Sequence, residues 1–276
     1  MLSPTPDILL IDKPTGISSF DVIRRLRREY KEKGLPVPKM GHGGTLDPLA
    51  SGLMIIGVGA GTKKLNDYLK LRKEYIAEVL IGERRTTGDM EGDIVEEKSV
   101  EEIFSEDKIS STLRGMLGHL PLPVSAYSAI KKDGVPMYKR ARKAAKAGKE
   151  IEELPIRVME VIETELLAIK NLSINRKKRA ILTVRFYVGS GTYIRSLGEE
   201  LGKRLAPTPI LSSLVINVLS IFEQTALFLN VKFLVKSFNQ WKQRQYRCRG
   251  RGYPATLYSL RRTKIGEFSI ENARSI

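Results

Sequence analysis

Hydrophobic positions along this chain fall into short runs and helical stripes that follow one another without a fixed rhythm. The first run, residues 8–11, is strand-like and stops at Asp12-Lys13-Pro14 and Gly16, a turn signature. Ser18 and Ser19 are suited to cap a helix over residues 20–30. That helix places Val22, Ile23 and Leu26 on one side and Arg24, Arg25, Arg27 and Arg28 largely on the other. Pro36 and Pro38 make 34–39 a loop, and the glycines of 41–52 make a second one. The unbroken apolar run 53–58 fits a buried strand, and the alternating segment 75–82 another. Residues 84–92 are polar and turn-like, after which Ile94 and Val95 resume the sheet. Ile103, Ile109, Leu113 and Leu117 keep helical spacing through 99–117. Residues 121–153 are basic, irregular at first and then helical over 138–146. Strands are expected at 157–167 and 179–187, and a helix at 192–205. There is no internal repeat. Strands and helices in this irregular order predict an α+β fold with a mixed, mostly antiparallel sheet flanked by helices and loops.

Composition narrows the partners. A chain of 276 residues supports one or two domains, and its formal charge of +16 favours a polyanion, nucleic acid before an anionic membrane. A solvated basic surface is the alternative. The arginines of 20–30 carry the same two readings, a solvated face or a phosphate-contacting one. Cys248 is the only cysteine, which excludes an internal disulfide and fits a reducing compartment. With only His42 and His119 beside it, no metal site is expected. The first apolar run is bounded by Asp7 and Asp12 and has no basic residue before it, unlike a signal peptide. The apolar-rich stretch 210–238 is broken by Asn217, Glu223, Gln224, Asn230 and Lys232, unlike a membrane span. A cytoplasmic protein with no membrane attachment is expected. Residues 206–254 stand apart: Glu223 is their one acidic residue, against Lys232, Lys236, Lys242, Arg244, Arg247, Arg249 and Arg251, and they hold the only tryptophan, Trp241. They read either as an inserted element or as an ordinary basic surface segment.

The densest candidate for chemistry is Gly41-His42-Gly43-Gly44-Thr45-Leu46-Asp47-Pro48-Leu49-Ala50-Ser51-Gly52. Glycines before Asp47 widen the backbone's choices and allow close approach of a ligand, while Pro48 restricts Asp47. A carboxylate held this way is a candidate nucleophile or base, or a simple turn former before proline. Gly57-Val58-Gly59-Ala60-Gly61-Thr62-Lys63 has the spacing of neither a dinucleotide fingerprint nor a phosphate loop, and reads as a tight turn after the buried strand. No serine sits in a nucleophile elbow; Gly189-Ser190-Gly191 comes nearest, with the wrong spacing.

The segment 43–52 resembles the catalytic motif of the TruB family of tRNA pseudouridine synthases. Other motifs of that family follow in order. Residues 9–19 resemble its opening motif, Lys73-Glu74-Tyr75 its Lys-x-Tyr strand, and 85–92 its acidic turn. Residues 125–131 and 138–142 are similar to its RNA-gripping region, Gly191-Thr192-Tyr193-Ile194-Arg195-Ser196-Leu197 to its late motif, and Leu260-Arg261-Arg262-Thr263 to its last. The resemblance implies a pseudouridine synthase fold and an enzyme that isomerises uridine 55 in the T-loop of tRNA to pseudouridine. It implies no cofactor, no metal and no obligate protein partner. Asp47 would be the nucleophile, Tyr75 would stack on the base and help remove a proton, and Arg195 would keep Asp47 ionised and oriented. Tyr193 and Leu260 would line the uridine pocket, His42 would fill the space left by the extruded base, and Asp89 would hold Arg195 or contact the flipped nucleotide. The catalytic domain would then comprise 1–205 and 255–276, with 206–254 as an atypical basic insertion, a translated intervening sequence or a sequence error. No C-terminal PUA-type domain is expected, because the chain stops soon after Phe268. The rival readings are a non-catalytic tRNA-binding protein or tRNA-folding chaperone on the same scaffold, and the guide-RNA-dependent branch of the superfamily.

Overall fold

The strand that comes late in the sequence lies in the middle of the sheet. The computed structural model describes residues 7–101, 103–128, 130–146, 154–205 and 252–276. Its elements are β1 (Ile8–Lys13), α1 (Ser19–Glu32), β2 (Met40–His42), β3 (Ser51–Val58), α2 (Leu65–Lys70), β4 (Lys73–Ile81), β5 (Glu83–Arg85), β6 (Ile94–Glu97) and α3 (Glu106–Arg114). They continue as β7 (Gly118–Pro123), β8 (Lys131–Lys132), β9 (Val135–Pro136), α4 (Met137–Lys146), β10 (Ile156–Ile174), β11 (Lys177–Val188), α5 (Ile194–Arg204), β12 (Ala255–Ile265), β13 (Phe268–Ser269) and β14 (Arg274–Ser275). The main sheet runs β14-β1-β3-β12-β4-β11-β10-β7, with β2 on β3 and β13 on β12. Only the β1/β14 and β3/β12 pairs within it are parallel. The fold is α+β with a mostly antiparallel sheet.

Burial explains the sequence patterns. Alternate residues of β3 point into different cores: Met54 and Ile56 meet α1 and the main cluster, while Leu53 and Ile55 pack with Ile265, Tyr68 and Phe268 on the other face. A strand covered on both faces must be apolar throughout, hence the unbroken run. On β4, Tyr75, Ala77 and Val79 face the main core, and Glu74 and Glu78 face away. Helix α1 buries Val22, Ile23 and Leu26, leaves Arg24, Arg25 and Arg28 exposed, and is capped by Ser18 in a capping box with Asp21. Helix α5 buries Ile194, Leu197 and Leu201 against the sheet, with Gly198 beside Val79.

Several expectations need correction. Residues 41–52 are not all loop, because β2 pairs with β3 through Gly41↔Gly57 and His42↔Ile56. The segment after β3 is a 3-10 helix, Gly59–Lys64, not a tight turn. Ile94 and Val95 do not rejoin the main sheet; β6, exposed along its length, pairs with β5 in a separate hairpin. The helix expected over 99–117 is the shorter α3, started by the Ser105 cap. Ile103 is 85% exposed and Leu117 also faces solvent, while Phe104 and Met116 are buried instead. Residues 118–123, partly expected to be irregular, form the edge strand β7, where Pro121 and Pro123 are tolerated. Gly252, Tyr253 and Pro254, expected to close the basic stretch, belong to the core: Tyr253 packs edge-on against Phe104 and donates its N–H to Gly202 O at 2.9 Å. Residues 206–251, with Trp241 and Cys248, lie outside the described residues, as does 147–153. Among the described residues no helix is long and apolar enough to cross a membrane.

Candidate active site

Asp47 sits in the loop between β2 and β3, and the main-chain carbonyls of that loop are held one after another. Arg262 on β12, 1% exposed, donates from Nη2 to Gly44 O (3.2 Å), from Nη1 to Thr45 O (3.5 Å) and from Nε to Leu53 O (2.7 Å). Ser19, the first residue of α1, donates its hydroxyl to Leu46 O (2.9 Å) and accepts the Leu46 N–H (2.8 Å). Asp47 O accepts from Ala50 N–H at 3.1 Å. Pro48 O accepts from Gly16 N–H (2.8 Å) and from Lys13 Nζ (3.4 Å). Of the glycines before Asp47, Gly44 is the one that needs its conformational freedom, at φ +137°. Gly52 closes the loop at φ +109°, and a Cβ there would stand 2.2 Å from Arg262 O. The backbone is fixed, and the Asp47 side chain, 41% exposed, is its open end.

The cation facing it comes from the first turn of α5. Arg195 Nη2 lies 3.0 Å from Asp47 Oδ2, and Nη1 lies 3.5 Å from Asp89 Oδ2. The same guanidinium donates to Thr87 O (3.0 Å) and Tyr127 O (3.2 Å), so its plane is fixed from several sides. Its two carboxylates differ in exposure, since the Asp89 side chain is 3% exposed. Asp89 Oδ1 accepts from Thr87 Oγ1 (2.5 Å) and Glu91 N–H (3.1 Å), and its turn is tied to β12 by Leu257 N–H to Gly88 O (3.0 Å). Asp89 therefore anchors Arg195, and Asp47 presents the accessible negative charge.

The surroundings tune their neighbours. Burial lowers Lys13 to about 8, with Asp47 pulling it back up. Lys73, buried beside Arg262, is likewise lowered to about 8, and donates to Leu71 O (2.6 Å) and Leu69 O (3.0 Å). Glu91 is raised, first by burial and then by the charges of Asp89 and Asp47. Burial raises Tyr193, partly offset by the Ser128 hydroxyl and by Arg157 and Arg195. Burial and then Arg262 lower His42, whose Nδ1 is buried without a hydrogen-bond partner.

The structure brings Asp47, Arg195 and Asp89 into direct contact. Tyr193 precedes Arg195 at the start of α5 and is half-buried. Tyr75 and Leu260 are diagonal neighbours on β4 and β12, through the pairs Tyr75↔Arg262 and Ala77↔Leu260, and share the apolar cluster against which Tyr193 packs. His42 stands on β2 near Arg262. Lys13, Arg262 and Glu91 are site residues that the sequence reading assigned no role, and Ser19, read there as a candidate helix cap, instead bonds Leu46. For Lys13 and Arg262 the available signal is a charged residue set in or at the end of an apolar strand, where its charge needs internal partners. An accessible carboxylate locked beside a buried guanidinium is suited to adding to an electrophilic carbon.

Comparison with known proteins agrees with this geometry. Residues 27–194 match the model for TruB family pseudouridylate synthase (N terminal domain). The chain is 40% identical over 201 residues to tRNA pseudouridine synthase B of Leifsonia xyli subsp. xyli (strain CTCB07), covering 72% of this chain and 62% of the relative. It is 36% identical over 198 residues to tRNA pseudouridine synthase B of Burkholderia mallei (strain NCTC 10247), covering 72% and 59%. The chain thus spans about three fifths of the length of those relatives. Its fold is similar to a chain in a structure of an H/ACA RNP bound to a substrate RNA containing 2'-deoxyuridine (TM-score 0.52, 21% identity, 97% of this chain and 50% of that one). It is similar also to a chain in a crystal structure of a Cbf5-Nop10-Gar1 complex (TM-score 0.51, 20% identity, 98% and 52%). The chain belongs to the TruB family of pseudouridylate synthases.

Proposed function

We propose that this chain isomerises uridine 55 in the T-loop of tRNA to pseudouridine, with Asp47 as nucleophile. The observation that carries the reading is the 3.0 Å pair between Arg195 and the accessible Asp47 carboxylate, on a loop whose carbonyls from Gly44 to Pro48 are each hydrogen-bonded. The names of its relatives support tRNA as substrate. The Asp47 carboxylate adds to the sugar or the base of the target uridine, and the bond between N1 and C1′ breaks. The freed base rotates, C5 bonds to C1′, Asp47 is released, and the proton lost from C5 is matched by one gained at N1. Atoms and electrons balance within the nucleotide, so no co-reactant is needed. Tyr75 stacks on the base and helps remove the C5 proton, Arg195 orients the nucleophile, and Tyr193 and Leu260 hold the ring. A uridine stacked in a loop must first be extruded, at a cost of about a few kcal/mol. His42 occupies the space it leaves, and the chain's surplus of cations draws in the RNA backbone.

The test is to map pseudouridine in unmodified tRNA incubated with the purified protein. The wild type forms it at position 55, whereas Asp47→Asn forms none and binds tRNA with its affinity retained. Conversion by Asp47→Asn at the normal rate contradicts the assignment. Binding by the wild type with no product anywhere in the tRNA supports the non-catalytic, RNA-folding reading.

A further inference from the structure

We propose that Ser19 is a positioning residue for Asp47, acting through the backbone of Leu46; the inference rests on the activity proposed above. Ser19 and Leu46 are 27 residues apart and both buried, yet one hydroxyl satisfies both polar groups of Leu46, donating to its carbonyl at 2.9 Å and accepting its N–H at 2.8 Å. A serine can do this because its oxygen is donor and acceptor at once. The helix has no need of Ser19 for its own end. Its neighbour Ser18 is the cap, accepting Asp21 N–H at 3.2 Å and donating to Asp21 Oδ2. Ser19 is thus free to reach out of the helix and hold the residue immediately before the nucleophile.

On the N-terminal side of Asp47 the other grip acts further away, and on the C-terminal side the hold is on Pro48. Arg262 holds Gly44 and Thr45, and Lys13 and Gly16 hold Pro48. Arg195 cannot follow a shift of Asp47, because Thr87 O, Tyr127 O and Asp89 fix its guanidinium. Without the Ser19 hydroxyl, two buried backbone groups of Leu46 lose their partner and the loop moves to find others. The 3.0 Å contact of Asp47 with Arg195 then opens. Leu46 is 4% exposed, and so the loss falls on the chemical step rather than on RNA binding.

The experiment compares the wild type, Ser19→Ala and Ser19→Cys for kcat and KM on tRNA, together with hydrogen exchange of the Leu46 and Asp47 amides. Ser19→Ala is expected to lower kcat by about ten- to a hundredfold, as small misplacements of reacting groups do, with KM within about twofold and faster exchange at both amides. Ser19→Cys, similar in shape but a weak donor, is expected to fall between the two. A kcat within about twofold of wild type in Ser19→Ala overturns the proposal, as does a loss in both variants that only tracks their unfolding temperature. If the wild type forms no pseudouridine, the activity reading has failed. Ser19 is then judged on the exchange of the Leu46 and Asp47 amides, and unchanged exchange overturns it.

Discussion

At Arg195 one guanidinium serves two carboxylates of opposite character, and they should respond differently to mutation. Asp89 is buried, so Arg195→Met leaves an uncompensated charge in the interior. That is expected to destabilise the fold by about 3–5 kcal/mol in urea unfolding, and to lower kcat more than tenfold. Asp47 is open to solvent, and Asp47→Asn should leave stability nearly unchanged while removing activity. The buried lysines give a test by pH. Lys73 is lowered from its ordinary 10.5 to about 8 by burial. Between those values the unfolded chain holds a proton that the folded chain lacks, so this residue makes stability rise with pH across the window. Below it both states are protonated and the cost of the buried charge stands. The stability of the wild type relative to Lys73→Met, from urea midpoints, should therefore increase from about pH 7 to about pH 10; a flat difference contradicts the shift. The residues joined at the ion pair, Asp47, Arg195 and Asp89, were legible from motif resemblance. Ser19 was not, because its hydroxyl acts on a backbone 27 residues away and leaves no local pattern.

Between elements, the closest approach around the site is that of β3 and β12. Gly52 lies against the main chain of Arg262 at φ +109°, and the pair sets the parallel register Arg262↔Gly52. Gly52→Ala is expected to cost about 1–3 kcal/mol for the backbone region alone, and more because the Arg262 carbonyl stands in the way of the new Cβ. Thermal unfolding should show the fall, and activity should drop with it as Arg262 loosens its hold on Gly44 and Thr45. Strands buried on one or both faces were readable from apolar pattern, as β3 and β4 show. The errors fell where pattern and burial part company. β6 looks like sheet but pairs only with β5 and stays exposed; Ile103 keeps helical spacing yet projects into solvent; β7 contains prolines that a central strand would exclude and an edge accepts. The parallel contact of β3 with β12 joins residues about two hundred positions apart and has no local signature.

For the whole molecule, the chain on either side of 206–251 meets within the core. Tyr253 N–H bonds Gly202 O at 2.9 Å, and Gly252 rests on the main chain of Lys203. Replacing 206–251 with a short linker from Leu205 to Gly252 should keep the circular dichroism spectrum and a cooperative unfolding transition; loss of the folded signal contradicts the reading of that stretch as an insertion. The place of β12 has a further consequence. Wedged between β3 and β4, it supplies Arg262 beneath the Asp47 loop, Leu257 to the Asp89 turn and Leu260 to the main apolar cluster. During synthesis the N-terminal strands leave the ribosome with a vacant slot between them, and they must stay unaggregated until the keystone arrives. A chain cut off before β12 would lack all three contributions, so the proposed activity is expected only from chains that include residues 255–265.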